Sequence, residues 1–294
     1  MMKSRLFLTN LARKGLNLFI ILIFLCGCSA PVVPPLYDDI VPAITNIALN
    51  DYKIEIKVRQ VGSTLWIYMP VENIFEKSDK PDKYTEKFEI LNNHNEFSGS
   101  TLKLEYQIKL KKEEEKSQEY KYKKDILEKM NNLWMVLRRV LFSMDRSRQE
   151  EPRFFCIVTA DIKNGIEMRE TFYYLDLKKV SYGFISWGEY QHRVIQNTAI
   201  APEAIGDKKG KYLRYKNITL DEFISWQIEH RIRLKFQKPE VDKNADIDKE
   251  IVDVAVATVK IYNFRDFSSV EFNNQVTNKR VILNKAAVWS RVSN

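Results

Sequence analysis

Glycine is scarce in this 294-residue chain: it has 9, about 3% where ~7% is usual. No two glycines are spaced as Gly-x-Gly, which excludes the glycine loops that let backbone amides close around a phosphate. Histidine and cysteine number three each, too few for a zinc ribbon or a disulfide framework. No Gly-x-Ser-x-Gly or His-Glu-x-x-His sequence occurs, so the serine-hydrolase elbow and the metalloprotease signature are missing. A strong excess of one charge is missing too. The 47 Lys and Arg against 39 Asp and Glu give +8, but Lys3, Arg5, Arg13 and Lys14 belong to an acid-free N-terminus. Without them 43 cations face 39 anions, a net +4, which is weak for a nucleic-acid binder. With 45% hydrophobic and 12% aromatic residues, the chain can bury a core of one large or two small domains.

The N-terminus carries the most specific pattern. After the basic positions 3–14, Leu16 to Cys26 form an eleven-residue stretch whose only strongly polar member is Asn17. That is short of the ~20 apolar residues of a spanning helix and suits a secretory signal. Leu25-Cys26-Gly27-Cys28 follows, then Ser29 and Ala30. This segment resembles the lipobox of bacterial lipoprotein precursors, with an aliphatic residue three places before the cysteine and a small one directly before it. Cys26 departs from the usual Ser, Ala or Thr. The resemblance covers residues 1–30 and implies cleavage after Gly27, acylation of Cys28 and a membrane partner held through those acyl chains. It also implies a place on the exported side of the cell envelope, at the outer membrane if the host has one, since Ser29 and not Asp stands second.

The expected organisation is a signal peptide at 1–27, a lipidated tether at 28–37 stiffened by Pro31, Pro34 and Pro35, an α+β region at 38–182 and a helical plus helix-hairpin region at 183–294. Asp38 or Asp39 caps a helix to about Asp51, followed by a hairpin of Ile54–Val58 and Leu65–Met69. Val71 to Ser100 reads as a long polar loop, and Leu102 to Leu110 as a half-exposed strand. Apolar steps of three and four predict a helix over Glu119–Met144, then a hairpin turning at Asn164-Gly165. Capping boxes start a short helix from Ser186 through Gln196 and a second helix from Thr219 that ends before Pro239. A last segment from Asp246 or Asp248 to Tyr262 suits a helix or, through Val252, Val254 and Val256, a strand, before a final hairpin. Helix, strand, turn, strand thus recurs three times, which predicts α+β architecture with antiparallel hairpins backed by helices.

Cys156 lies in an apolar run and is expected to be a buried, inert thiol. Glu189 and His192 have an i, i+3 metal-ligand spacing, but an ion pair is the simpler expectation, and neither a metal nor a cofactor is assigned. Asp161, Glu170 and Asp176 are the carboxylates an envelope hydrolase of glycan or peptide would draw on; no catalytic residue is assigned. The densest surface feature is Lys208-Lys209-Gly210-Lys211-Tyr212-Leu213-Arg214-Tyr215-Lys216, whose cations and tyrosines suit anionic lipid or an acidic envelope polymer. Trp66 and Tyr68, on a strand apolar on both faces, are a second candidate surface for a protein partner. Export argues against nucleic acid as the ligand. A binding, scaffolding or assembly role in the envelope is the leading expectation, and the hydrolase is the alternative.

Overall fold

A computed structural model describes residues 39–143, 152–237 and 241–291, so the signal segment, Cys28 and the tether lie outside the described residues. The described architecture is α+β, with two mixed sheets and seven α-helices.

Helix α1 (Ile40–Tyr52) starts where the Asp39 side chain accepts the Val41 N–H, and stops at Lys53, whose left-handed backbone returns the chain. Strands β1 (Lys57–Val61) and β2 (Thr64–Val71) follow as a hairpin. The second such unit is helix α2 (Lys124–Phe142) with strands β5 (Phe154–Asp161) and β6 (Ile166–Tyr173). Both units enter one sheet, because β2 runs parallel to β5 from Thr64↔Phe154 to Val71↔Asp161. Strand β7 (Ile195–Ile200) completes the order β1-β2-β5-β6-β7. The central strands β2 and β5 are apolar on both faces because both are covered. On one face Trp134 of α2 stacks on Phe172 at 4.4 Å, and Phe172 on Phe155. The other face presents Trp66, Tyr68, Phe154, Cys156 and Val158 to residues 201–223.

The second sheet has the order β3-β4-β8-β9. Its first two strands, β3 (Phe75–Ser98) and β4 (Thr101–Tyr122), correct the expected loop at Val71–Ser100 and shorten the expected helix at Glu119. Cross-strand pairing with the strongly patterned Leu102–Leu110 overrides a composition that reads as loop. Strand β4 pairs with β8 (Ser269–Asn274) only over Thr101–Tyr106. Past Ile108 and Phe88, which still belong to the second core, β3 and β4 continue as a ribbon through 113–115, and a ribbon with solvent on both faces needs no apolar alternation. Strand β9 (Lys279–Asn284) closes the sheet as the hairpin partner of β8.

Between β6 and β7 lie helix α3 (Tyr174–Ser181), which ends β6 at Tyr173, and helix α4 (Trp187–Gln191), shorter than expected. Helix α5 (Leu220–Gln237) is capped reciprocally: Glu222 Oε2 accepts the Thr219 N–H and Thr219 Oγ1 accepts the Glu222 N–H. It serves both cores, with Phe223 in the first, and Ile224, Ile228, Ile232 and Phe236 in the second. Helix α6 (Ile247–Ile261) settles the 250–262 segment as helix, with Asp246 as its cap, and lays Ile251, Ala255 and Val259 on the second sheet. The third helix-hairpin unit therefore belongs to a different sheet from the first two. A short helix α7 (Lys285–Ser290) follows β9.

Candidate functional site

The basic segment lies on the face of the first sheet opposite helix α2. Its shape starts at Asp207, whose side chain accepts the N–H groups of Lys209 at 2.9 Å and Tyr212 at 3.1 Å, an Asx-type turn. Burial alone would raise the Asp207 carboxyl, but these backbone donors outweigh it and hold the group below the usual carboxylate range. Tyr68 donates its hydroxyl to the Asp207 carbonyl, and Tyr215 donates to the Gly210 carbonyl at 2.9 Å. Trp66 Nε1 donates to the Lys216 carbonyl at 2.8 Å, while Tyr212 donates to Glu167 Oε2 at 2.8 Å. Edge-to-face contacts join Trp66 to Tyr215 and Tyr68 to Tyr212.

Trp66 and Tyr68 are thus the floor under this loop, 2% and 0% exposed. That corrects their expected role as a surface for a partner: the loop itself covers them. Burial, with Asp207 second, raises the Tyr68 phenol well above its ordinary value, and burial with the Glu167 bond does the same for Tyr212. Both stay neutral donors throughout the physiological range. Gly210 lies flat on the Tyr68 ring; at its φ of 66°, an added Cβ would stand 2.8 Å from Tyr68 Cγ.

The cations divide by environment. Lys208, Lys209, Lys211 and Arg214 are exposed, and none is ion-paired among the described residues. Lys216 is exposed but engaged, 2.9 Å from Glu222 and over the Trp226 ring. Tyr212 and Tyr215 are half-buried and act as pegs. The fold adds one cation that the segment does not contain: Arg59 of β1 stacks over the Tyr215 ring at 4.9 Å. An Asp directly before Lys-Lys-Gly is a local turn signal for the cradle, whereas nothing near Arg59 in sequence points to the loop.

The carboxylates considered for hydrolysis are separately occupied. Asp161 closes a turn, accepting the N–H groups of Ile74 at 2.9 Å, Asn164 at 3.0 Å and Lys163 at 3.1 Å. Glu170 is buried on the helix side of the sheet, bonded to Gln196 at 2.9 Å, and burial raises its carboxyl. Asp176 is fully buried and meets Arg193 at 2.8 Å. Glu189 engages Arg193 at 2.8 Å and Arg231 at 3.0 Å instead of His192, so this buried network ties α3 and α4 to α5. Among the described residues, no group of three or more His, Cys, Asp or Glu is placed to hold a metal ion. Cys156 is buried, and burial pushes its thiol up to about 12.

No described helix is long and apolar enough to cross a membrane. Comparison with family models, with curated proteins and with solved structures finds no match for this chain.

Proposed function

We propose that this chain is a lipid-anchored protein of the cell envelope that binds an acidic envelope polymer through the loop Lys208–Lys216. The supporting observation is the set of four exposed, unpaired cations, Lys208, Lys209, Lys211 and Arg214, on a loop fixed by Asp207 and by two tyrosine pegs. Ordering long cationic side chains and their backbone is the main entropic cost of binding a polyanion, and a preformed loop has already met the backbone share. The anchor part of the proposal rests on Leu25 to Cys28 and the basic, apolar sequence before them.

Two experiments test these parts separately. Metabolic labelling with a fatty-acid analogue should mark the wild-type chain and fail for Cys28→Ala; equal labelling of both refutes the anchor. Retention on immobilised heparin, a polyanionic probe, should fall to lower salt when Lys208, Lys209, Lys211 and Arg214 are all changed to Gln, since exposed ion pairs are screened within ~10 Å at 0.1 M salt. Unchanged retention of a folded quadruple variant refutes the binding site.

A further inference from the structure

The opposite side of the first sheet carries a different surface. Helix α2 has a second set of apolar side chains left largely open to solvent, including Met135 at 49% exposure and Phe142 at 37%. Next to it the chain reverses between α3 and α4 through Gly183, whose φ is 75°. That reversal projects Tyr182 at 64% exposure, Phe184 at 78% and Trp187 at 56%. Phe142 meets Tyr182 edge-on at 5.2 Å, and Tyr182 leans on Phe184 at 6.3 Å, so these three rings form one continuous ledge, with Trp187 in the lining of the groove beside it. That groove has a volume of about 300 Å³, and its lining includes Trp134, Leu177 and the exposed Arg138.

We propose that this ledge rests in the headgroup layer of the membrane carrying the Cys28 anchor, with helices α1 and α2 towards the bilayer and the loop Lys208–Lys216 directed away from it. The inference rests on the anchor reading. Its first support is reach. Asp39 follows Cys28 by eleven residues, which span at most ~36–40 Å when extended. Helix α1 then covers about 18 Å from Asp39 to Asp51. Asp51 is held by Arg139 at 2.6 Å, one turn before Phe142. The path from Asp39 to the ledge, one helix, one ion pair and one turn, therefore falls within the reach of the extended tether. The second support is chemistry: Trp and Tyr with an apolar body and a polar tip prefer the bilayer interface, and Arg138 beside them complements lipid phosphate. The third is shape, because the aromatics stand on a projecting chain reversal, which suits insertion into a soft layer. The orientation also separates the two surfaces, leaving the basic loop to a polymer beyond the membrane and not to the lipids beneath it.

The test uses the full acylated protein in vesicles of phosphatidylethanolamine and phosphatidylglycerol. A fluorescent thiol probe is placed by Phe184→Cys in one variant and by Lys209→Cys in another, since Cys156 is buried and unreactive. A lipid-borne nitroxide should quench the probe at 184 at least twofold more than the probe at 209. Equal, weak quenching of both in protein that floats with the vesicles overturns the ledge and leaves the anchor standing. Shielding at 184 from aqueous iodide without lipid quenching also overturns it, and assigns the ledge to a protein partner or a second copy. Protein that carries no acyl chain and does not float removes the anchor and this inference with it.

Discussion

Replacing Gly210 by Ala tests whether the basic loop is held as tightly as its contacts imply. The new methyl group would stand 2.8 Å from Tyr68 Cγ and 2.9 Å from the Tyr215 hydroxyl, at a φ of 66°. Neither neighbour can yield cheaply, because Tyr68 is fully buried and both hydroxyls are bonded within the loop. A left-handed backbone disfavours Ala by about 1–2 kcal/mol, and forcing a methyl into a filled site adds about 1–3 kcal/mol. The sum is about 2–5 kcal/mol. Gly206 supplies the control: its φ is 74°, it lies in the same segment, and an added Cβ would meet nothing within 4 Å. Gly206→Ala should therefore lose only the backbone part, about 1–2 kcal/mol. Urea unfolding followed by tryptophan fluorescence measures both, and retention of Gly210→Ala on heparin should fall as the lysines are displaced. Equal destabilisation by the two substitutions would refute the argument that the loop is pinned against Tyr68.

Two further expectations concern the buried charges. Arg193→Ala leaves Asp176 fully buried beside the neutral Tyr262, with Lys179 at 4.0 Å as its remaining ion-pair partner among the described residues. It should destabilise the fold by about 3–5 kcal/mol, and pairing it with Asp176→Asn should restore at least half; a double variant as unstable as the single one contradicts this. His230 is buried, and burial first, with Arg233, Arg231 and His192 adding to it, lowers its imidazole from 6.5 to about 4. The unfolded chain then binds the proton more tightly, so the stabilisation is complete above pH 6.5 and is lost as pH falls from 6.5 to 4. Comparing urea midpoints at pH 7 and pH 4, the wild type should lose about 3 kcal/mol more than His230→Gln; parallel losses would contradict the assignment.

The three helix-hairpin units were legible because each is local: Asp39 and Asp246 cap their helices, and Asn164-Gly165 turns its hairpin. What escaped depends on partners distant in sequence. Strand β3 was hidden because its outer half faces water on both sides, and β7 because of its six residues all but Ile195 are exposed. At the candidate site the lysines were plain in the sequence. The burial of Trp66 and Tyr68 was not, since only the covering loop, some 140 residues later, decides whether a two-sided apolar strand is interior or surface. For the same reason nothing in sequence separated the aromatics that fill a core from Tyr182, Phe184 and Trp187, which do not.

The parallel pairing of β2 with β5 also sets a timetable for assembly. Thr64 and Phe154 meet across about 90 intervening positions, with the whole β3–β4 ribbon and α2 between them. Closing so long a loop opposes association by about 4 kcal/mol of chain entropy, and such non-local topologies form slowly. Until β5 arrives, Leu65-Trp66-Ile67-Tyr68-Met69 has β1 on one edge and nothing on the other, with both apolar faces uncovered. A chain made and moved from its N-terminus carries that strand with one edge unpaired until residues 154–161 follow. A holdase that reads short aromatic segments would be expected to bind it there, and to release it only when residues 154–161 have emerged.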